Sequence, residues 1–135
     1  MKDILFIIGS KSDMDHIQPA IDLINEKKLT HELHVYSAHR NLEELLDFLK
    51  NHAADFKVII TAAGLAAALP GVVAAKVKNP VIGIPIVSGP LLGVDALLSI
   101  IQLPKGIPVA TMGVGKQGVL NAVYLAERMV SLAQN

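Results

Sequence analysis

A serine, a histidine and an arginine fall within four positions at Ser37-Ala38-His39-Arg40, directly after an alternating polar and apolar run. Histidine is the side chain whose ordinary pKa lies closest to neutrality, which makes His39 a candidate general acid/base. The guanidinium of Arg40 is planar and presents paired N–H donors that fit the oxygens of a phosphate. Ser37 adds a hydroxyl. The same residues would also suit an exposed turn that caps a helix, but a proton carrier, a fixed cation and a hydroxyl converging in one loop favour chemistry. His16, His31, His34 and His52 lack such neighbours and read as solvated or structural.

A second polar loop, Gly9-Ser10-Lys11-Ser12-Asp13, leads from an apolar run into helical spacing. Glycine permits a tight turn, and two hydroxyls beside the free amides of a helix N-terminus suit an oxyanion. The alternative is a helix cap followed by a solvated lysine. The loop is not a Walker sequence, because Lys11 lacks the glycine framework. Gly113-Val114-Gly115-Lys116-Gln117-Gly118 matches G-x-G-x-x-G, but the acidic residue that a dinucleotide site needs on a later strand has no strand to stand on. Those glycines are read instead as a tight turn with close packing.

Two further loops carry less side-chain chemistry. Thr61 to Gly71 is almost all small or apolar, so a ligand could approach its backbone closely, and tight helix–sheet packing would use the same residues. Pro85 to Gly93 could form a dry wall over a ligand or simply cover the sheet end. No metal site emerges: His31 and His34 lie three apart on a strand and point to opposite faces. No Ser-His-Asp set can be assembled. Asp95 is expected to cap the helix that follows it.

The elements that must position these loops alternate along the chain. Ile4–Ile8, Val58–Ile60 and Val81–Ile84 are short apolar runs of the kind found in strands buried on both faces. His31–Tyr36 alternates and is placed at a sheet edge, and Ile107–Thr111 is a fifth candidate strand. Met14, Ile17, Ile21 and Ile24 make a helical stripe, with Ser12 or Asp13 as its N-cap and Pro19 either kinking it or marking a later start. Leu42, Leu45, Leu46 and Leu49 make another stripe. Residues 65–77, Val94–Gln102 and Gln117–Leu132 complete the helices. Alternating strands and helices with short connections predict an α/β protein: a flavodoxin-like three-layer sandwich on a five-stranded parallel sheet, order 2-1-3-4-5. Ligands of such sheets bind outside the carboxyl ends of the strands, where the polar loops fall.

Composition narrows the classes. The 135 residues fit one domain, 1–135, and are 52% hydrophobic and 18% charged. That excludes a disordered chain. With no Cys there is neither a disulfide scaffold nor a cysteine zinc site. Twelve basic and twelve acidic residues, with only 2 Tyr and 3 Phe, argue against a nucleic-acid surface. No apolar stretch approaches the ~20 residues of a membrane span and no signal peptide is recognised, so a cytoplasmic location is expected. Zero net charge is poor for the solubility of a free monomer.

Together these loops resemble those of the N5-carboxyaminoimidazole ribonucleotide mutase family of purine biosynthesis. The resemblance runs from Ile7 to the final helix. It rests on Gly9-Ser10-Lys11-Ser12-Asp13, Ser37-Ala38-His39-Arg40, Leu69-Pro70-Gly71, Pro80–Pro85, Gly93–Pro104, Gly106–Thr111 and Gly115-Lys116, with Gly118 and Asn121-Ala122 also fitting. It implies a flavodoxin-like subunit of a homo-octamer, with a site shared between neighbours and with neither metal nor organic cofactor. By the match Ser10, Ser37 and Arg40 would hold the ribonucleotide phosphate, with Ser12 beside them, and Asp13 the ribose hydroxyls. Gly64 and Leu65 complete the substrate-binding set. His39 would be the acid/base as a carboxylate moves from an exocyclic nitrogen to a ring carbon through CO2 held in a closed, dry site.

The chain departs from the family in the third loop. Mutases usually read Gly-Gly-Ala-Ala-His-Leu-Pro-Gly there, whereas Gly64-Leu65-Ala66-Ala67-Ala68-Leu69-Pro70-Gly71 places Leu65 at the second glycine and Ala68 at the histidine. A carboxylase that takes aminoimidazole ribonucleotide and CO2 directly is therefore the alternative within the family. A non-enzymatic flavodoxin-like receiver or binding module is the alternative outside it. A receiver would want a phosphorylatable Asp where Thr61 and Ala62 stand, and a flavin module would want stacking aromatics.

Overall fold

The computed structural model describes residues 1–133. Strand β1 (Lys2–Ile8) is followed by a 3-10 turn at Lys11–Asp13 and helix α1 (Met14–Glu26). Then come β2 (His31–Val35), α2 (Leu42–His52), a 3-10 turn at Ala53–Asp55 and β3 (Phe56–Gly64). Helix α3 (Leu69–Lys76), β4 (Val81–Ile86), α4 (Val94–Ile101) and α5 (Lys116–Leu132) complete the order.

All strand pairs are parallel, in the order β2-β1-β3-β4. Pleating sends successive side chains to opposite faces, so one apolar run feeds two cores. Ile4, Phe6 and Ile8 of β1 pack with Ile17, Ile21 and Ile24 of α1 and with Val123, Ala126 and Val130 of α5. Leu5 and Ile7 pack on the other face with Leu45 and Leu49 of α2 and Val73 of α3. The result is the α/β sandwich, with the alternating strand β2 at the sheet edge as its pattern predicts.

The sheet has four strands, not five. Ile107–Thr111 meets β4 through a single bridge, Ile82 to Ala110. The Gly83 N–H donates to the Ala110 carbonyl (2.7 Å) and the Ala110 N–H to the Val81 carbonyl (3.0 Å). Pro108 has no N–H to continue the ladder. The segment occupies the fifth position in space without becoming a strand.

The helix expectations are settled or changed at α1, α3 and α4. Helix α1 runs through Pro19 without a later start. Of the two candidate caps, Asp13 stands at the N-cap of α1 but makes no side-chain cap bond, while the Ser10 Oγ accepts the Ser12 N–H (3.2 Å) and caps the preceding 3-10 turn. Residues 65–68 are not helical. Leu65 has φ 57°, and α3 begins only at Leu69, with Pro70 in its first turn. There a missing N–H leaves no hydrogen bond unmade. Helix α4 begins after Gly93, whose φ is 89°, so Asp95 lies inside the first turn rather than at the cap.

The amino ends of three strands are tied by Asp3. Its Oδ2 accepts the Thr30 N–H (3.0 Å), its own N–H donates to Thr30 Oγ1 (2.9 Å), and Lys57 Nζ lies 3.0 Å from Oδ1. With that end clasped, the carboxyl ends are left to carry the polar loops.

Candidate functional site

A cavity of about 450 Å³ opens at the carboxyl ends of the strands. Three loops bring polar side chains to it. Ser10, Ser12 and Asp13 follow β1; Ser37, His39 and Arg40 follow β2; Gly64 and Leu65 end β3 and begin the loop to α3. All eight residues singled out in the sequence line this one cavity.

The β2 loop is held by one serine. The Tyr36 N–H donates to the Ile8 carbonyl (2.9 Å), which carries the chain past the end of β1. The Ser37 Oγ then accepts two backbone N–H groups, from His39 (3.3 Å) and Arg40 (3.2 Å). Asn41 closes the turn: its Oδ1 accepts the Ser37 N–H (3.3 Å), and its N–H donates to the Ser37 carbonyl (2.9 Å). Two lone pairs of the hydroxyl are thus occupied, and its proton is left to donate to a ligand. His39 and Arg40 are exposed, with α2 starting two residues beyond Arg40.

The β1 loop faces it. Ser10 Oγ lies 2.9 Å from Ser12 Oγ, so the two hydroxyls share one proton between them and offer the other outward. Asp13 is half-buried beside Gly9; a side chain at Gly9 would come within 3.6 Å of Ala63 and 4.0 Å of the Asp13 Oδ2. Burial raises the Asp13 carboxyl above its ordinary range, while His16 and the Ser10 backbone pull it the other way.

The remaining wall is apolar. Ala63, Ala66, Ala67 and Ala68 offer only methyl groups, and Leu65 and Leu69 close that side. Ala68 stands on this wall and brings no proton carrier to it. Ser88, from the loop after β4, also reaches the cavity. From sequence that loop reads either as a dry wall over a ligand or as a cover for the sheet end. Ser88 is its one hydroxyl, which was the available signal.

The arrangement sets Arg40 and three serine hydroxyls, which could grip an anion, and His39, which could carry a proton, against an apolar wall. Among the described residues no group of three or more His, Asp or Glu side chains could hold a metal ion. A larger hollow of about 860 Å³ lies at the opposite, amino end of the sheet. Its lining has no histidine, carboxylate or hydroxyl, so the smaller cavity is the one equipped for proton transfer.

Fold and cavity together define an α/β protein whose strand ends carry a cavity lined by Arg40, His39 and serine hydroxyls, side chains able to bind an anion and move a proton. Residues 3–135 match the AIR carboxylase family, and the chain belongs to it. It is 44% identical over 129 residues to the N5-carboxyaminoimidazole ribonucleotide mutase of Haemophilus influenzae, covering 95% of this chain and 79% of that one. It is 44% identical over 126 residues to the mutase of the same name from Bacillus subtilis, covering 93% and 78%. The crystal structure of Treponema denticola PurE superposes with a TM-score of 0.84 at 31% identity, covering 96% of this chain and 80% of that one.

Proposed function

We propose that this protein, a single domain over residues 1–135, is an isomerase of purine biosynthesis. It moves a carboxylate from the exocyclic nitrogen of N5-carboxyaminoimidazole ribonucleotide to ring carbon 4. The observation that carries the reading is the Ser37 turn, which presents His39 and Arg40 across one cavity from Ser10 and Asp13. Arg40 and the hydroxyls of Ser10, Ser12 and Ser37 hold the phosphate, and Asp13 accepts from the ribose hydroxyls. Gly64 and Leu65 line the path to the reacting base.

The proton count explains why one acid/base suffices. Cleaving the carbamate releases CO2 and leaves an amine, which takes up one proton at nitrogen. Carbon 4 then attacks CO2, and a carbon–carbon bond forms. Its ring hydrogen leaves as a proton, which restores the aromatic ring. His39 gives the first proton and takes the second, ending as it began. No atom is gained or lost, and neither metal nor organic cofactor enters the balance.

A second reading is direct carboxylation of aminoimidazole ribonucleotide by CO2, favoured by one observation: Ala68 removes a side-chain proton carrier from the cavity wall. A paired assay separates the two. Carboxyaminoimidazole ribonucleotide is supplied to one sample, and aminoimidazole ribonucleotide with bicarbonate to the other. Faster formation of the ring-carboxylated product in the first supports the mutase; faster formation in the second overturns it in favour of the carboxylase. Activity in neither removes both.

The working form is a homo-octamer in the cytoplasm, the compartment that retains phosphorylated intermediates. Leu91, Leu92, Val94 and Leu98 are each more than half exposed and lie on one stretch leading into α4. Beside them the Asp95 Oδ1 is buried without a hydrogen-bond partner. An apolar patch with an orphaned acceptor suits a subunit interface. Light scattering is expected to give a particle about eight times the 14.4 kDa chain, and a monomer would overturn this.

A further inference from the structure

The hollow at the amino end of the sheet plays no part in carboxylate transfer, yet it has the makings of a site. Its volume of about 860 Å³ is that of a small-molecule pocket. Its floor is apolar, with Leu46 and Leu49 of α2, Phe56 of β3 and Val77 just past α3. Lys50, Lys57, Lys76 and Lys78 also line it, and among the described residues no Asp or Glu does. In a chain with twelve basic and twelve acidic residues, that is a local excess of one sign.

The lysines are not equivalent. Lys57 lies 3.0 Å from the Asp3 Oδ1 and is engaged by that pair. Lys50, Lys76 and Lys78 are exposed and make no ion pair among the described residues. A lysine in the last turn of a helix can serve the free carbonyls there, which would account for Lys50 and Lys76. Two carbonyls beside the hollow, however, are served otherwise: the Asn79 Nδ2 donates to those of Ala53 (2.9 Å) and Phe56 (2.8 Å). Lys78 lies between α3 and β4, outside any helix. Three ammonium groups therefore stand round an apolar floor without a counter-charge among the described residues.

We propose that this hollow is a second binding site, for a small amphiphilic anion with an apolar body and a phosphate monoester head. The floor takes the body, and Lys50, Lys76 and Lys78 take the head. Three cations suit a dianionic head, and an ammonium grips phosphate as a point charge. Exposed ion pairs contribute little singly, so burial of the body against Leu46, Phe56 and Val77 holds the ligand. The seven residues of β1 separate this site from the catalytic cavity by roughly 20 Å, at ~3.3 Å per residue, so ligand and substrate bind together. The proposal stands independently of the reaction at the strand ends.

The test is isothermal titration of the full protein with octyl phosphate. Ethyl phosphate supplies the head without the body, and octanol the body without the head. Octyl phosphate is expected to bind, and the other two at least about tenfold more weakly. Changing Lys50, Lys76 and Lys78 together to Ala should raise the Kd about tenfold or more and flatten its rise with salt. Circular dichroism checks that this variant folds, and Lys78→Ala alone should raise the Kd about two- to fivefold. Arg40→Ala should keep the site, because Arg40 lines the other cavity. No binding by the unaltered protein would overturn the proposal, as would equal binding by the unaltered protein and the lysine variants. Loss of all binding in Arg40→Ala would place octyl phosphate in the catalytic cavity and overturn it too. Sedimentation with phosphatidylglycerol vesicles, without binding of free octyl phosphate, would overturn it in favour of a membrane-facing surface.

Discussion

The Oγ of Ser37 accepts the backbone N–H of Arg40 at 3.2 Å, so the hydroxyl and the guanidinium that line the cavity are set by a single turn. The His39 N–H bonds to the same oxygen, which places the proton carrier by the same device.

Replacing Arg40 by Ala removes the one arginine that faces the cavity and leaves the turn bonded, since its tie to Ser37 is through the backbone. Substrate affinity is expected to fall by about 2–5 kcal/mol, as when one partner of a buried charge pair is lost. Isothermal titration with substrate measures it. An unchanged Kd would remove Arg40 from the phosphate site.

His39→Asn is expected to lower kcat by about 10²–10⁴-fold, the usual contribution of a positioned acid/base. Far-UV circular dichroism and oligomer size should not change, because the residue is exposed and its bond to Ser37 is made by the backbone N–H. Near-normal turnover would exclude the role.

Asp3 predicts a pH dependence of stability. Burial by itself would raise its carboxyl, but the Thr30 N–H and the Lys57 ammonium outweigh it and hold the group below its ordinary 3.8. A depressed carboxylate stabilises the fold above its unfolded pKa, and that contribution is lost as pH falls through the lower folded value. Asp3→Asn keeps an acceptor for Thr30 and removes the charge opposite Lys57. Urea unfolding at pH 7 should show a loss of about 1–3 kcal/mol that shrinks in strong acid. A difference constant with pH would contradict the assignment.

The glycines before α5 predict a contrast. A Cβ at Gly118 would stand 2.1 Å from the Gly113 carbonyl oxygen, so Gly118→Ala must move backbone. It should cost about 3 kcal/mol or more, the upper range of overpacking. Gly113 has φ 97° and open space around its α-carbon, so Gly113→Ala meets only the left-handed penalty of roughly 1–2 kcal/mol. Urea midpoints rank the two, and equal costs would exclude the clash.

Much of this was legible along the chain. The β1 run Ile4–Ile8 contains no polar residue, and both its faces are buried. The alternating β2 is the edge strand. Helix stripes and the breaks at Gly and Pro marked most element ends within a few residues. That candidate residues of three separate loops would meet at one cavity was legible because parallel α/β order sends every strand's carboxyl end to the same side. The β3 loop was misread in one respect: residues 65–68 have helical composition but follow a left-handed Leu65.

What the sequence determined by itself was local: which residues alternate or repeat with a helical period, which side chains can move a proton or grip an anion, and which end of the sheet would carry them. The tertiary structure alone decided how backbone donors and acceptors are matched across space. It reduced Ile107–Thr111 to one bridge, because Pro108 cannot donate to β4. It placed Asp13 rather than Ser12 at the N-cap of α1, and gave the one side-chain cap bond of that loop to Ser10, at the 3-10 turn before it. It also seated Leu65 against Gly89, twenty-four positions away, because two loops that carry no pattern of their own meet only once the strands beneath them are paired.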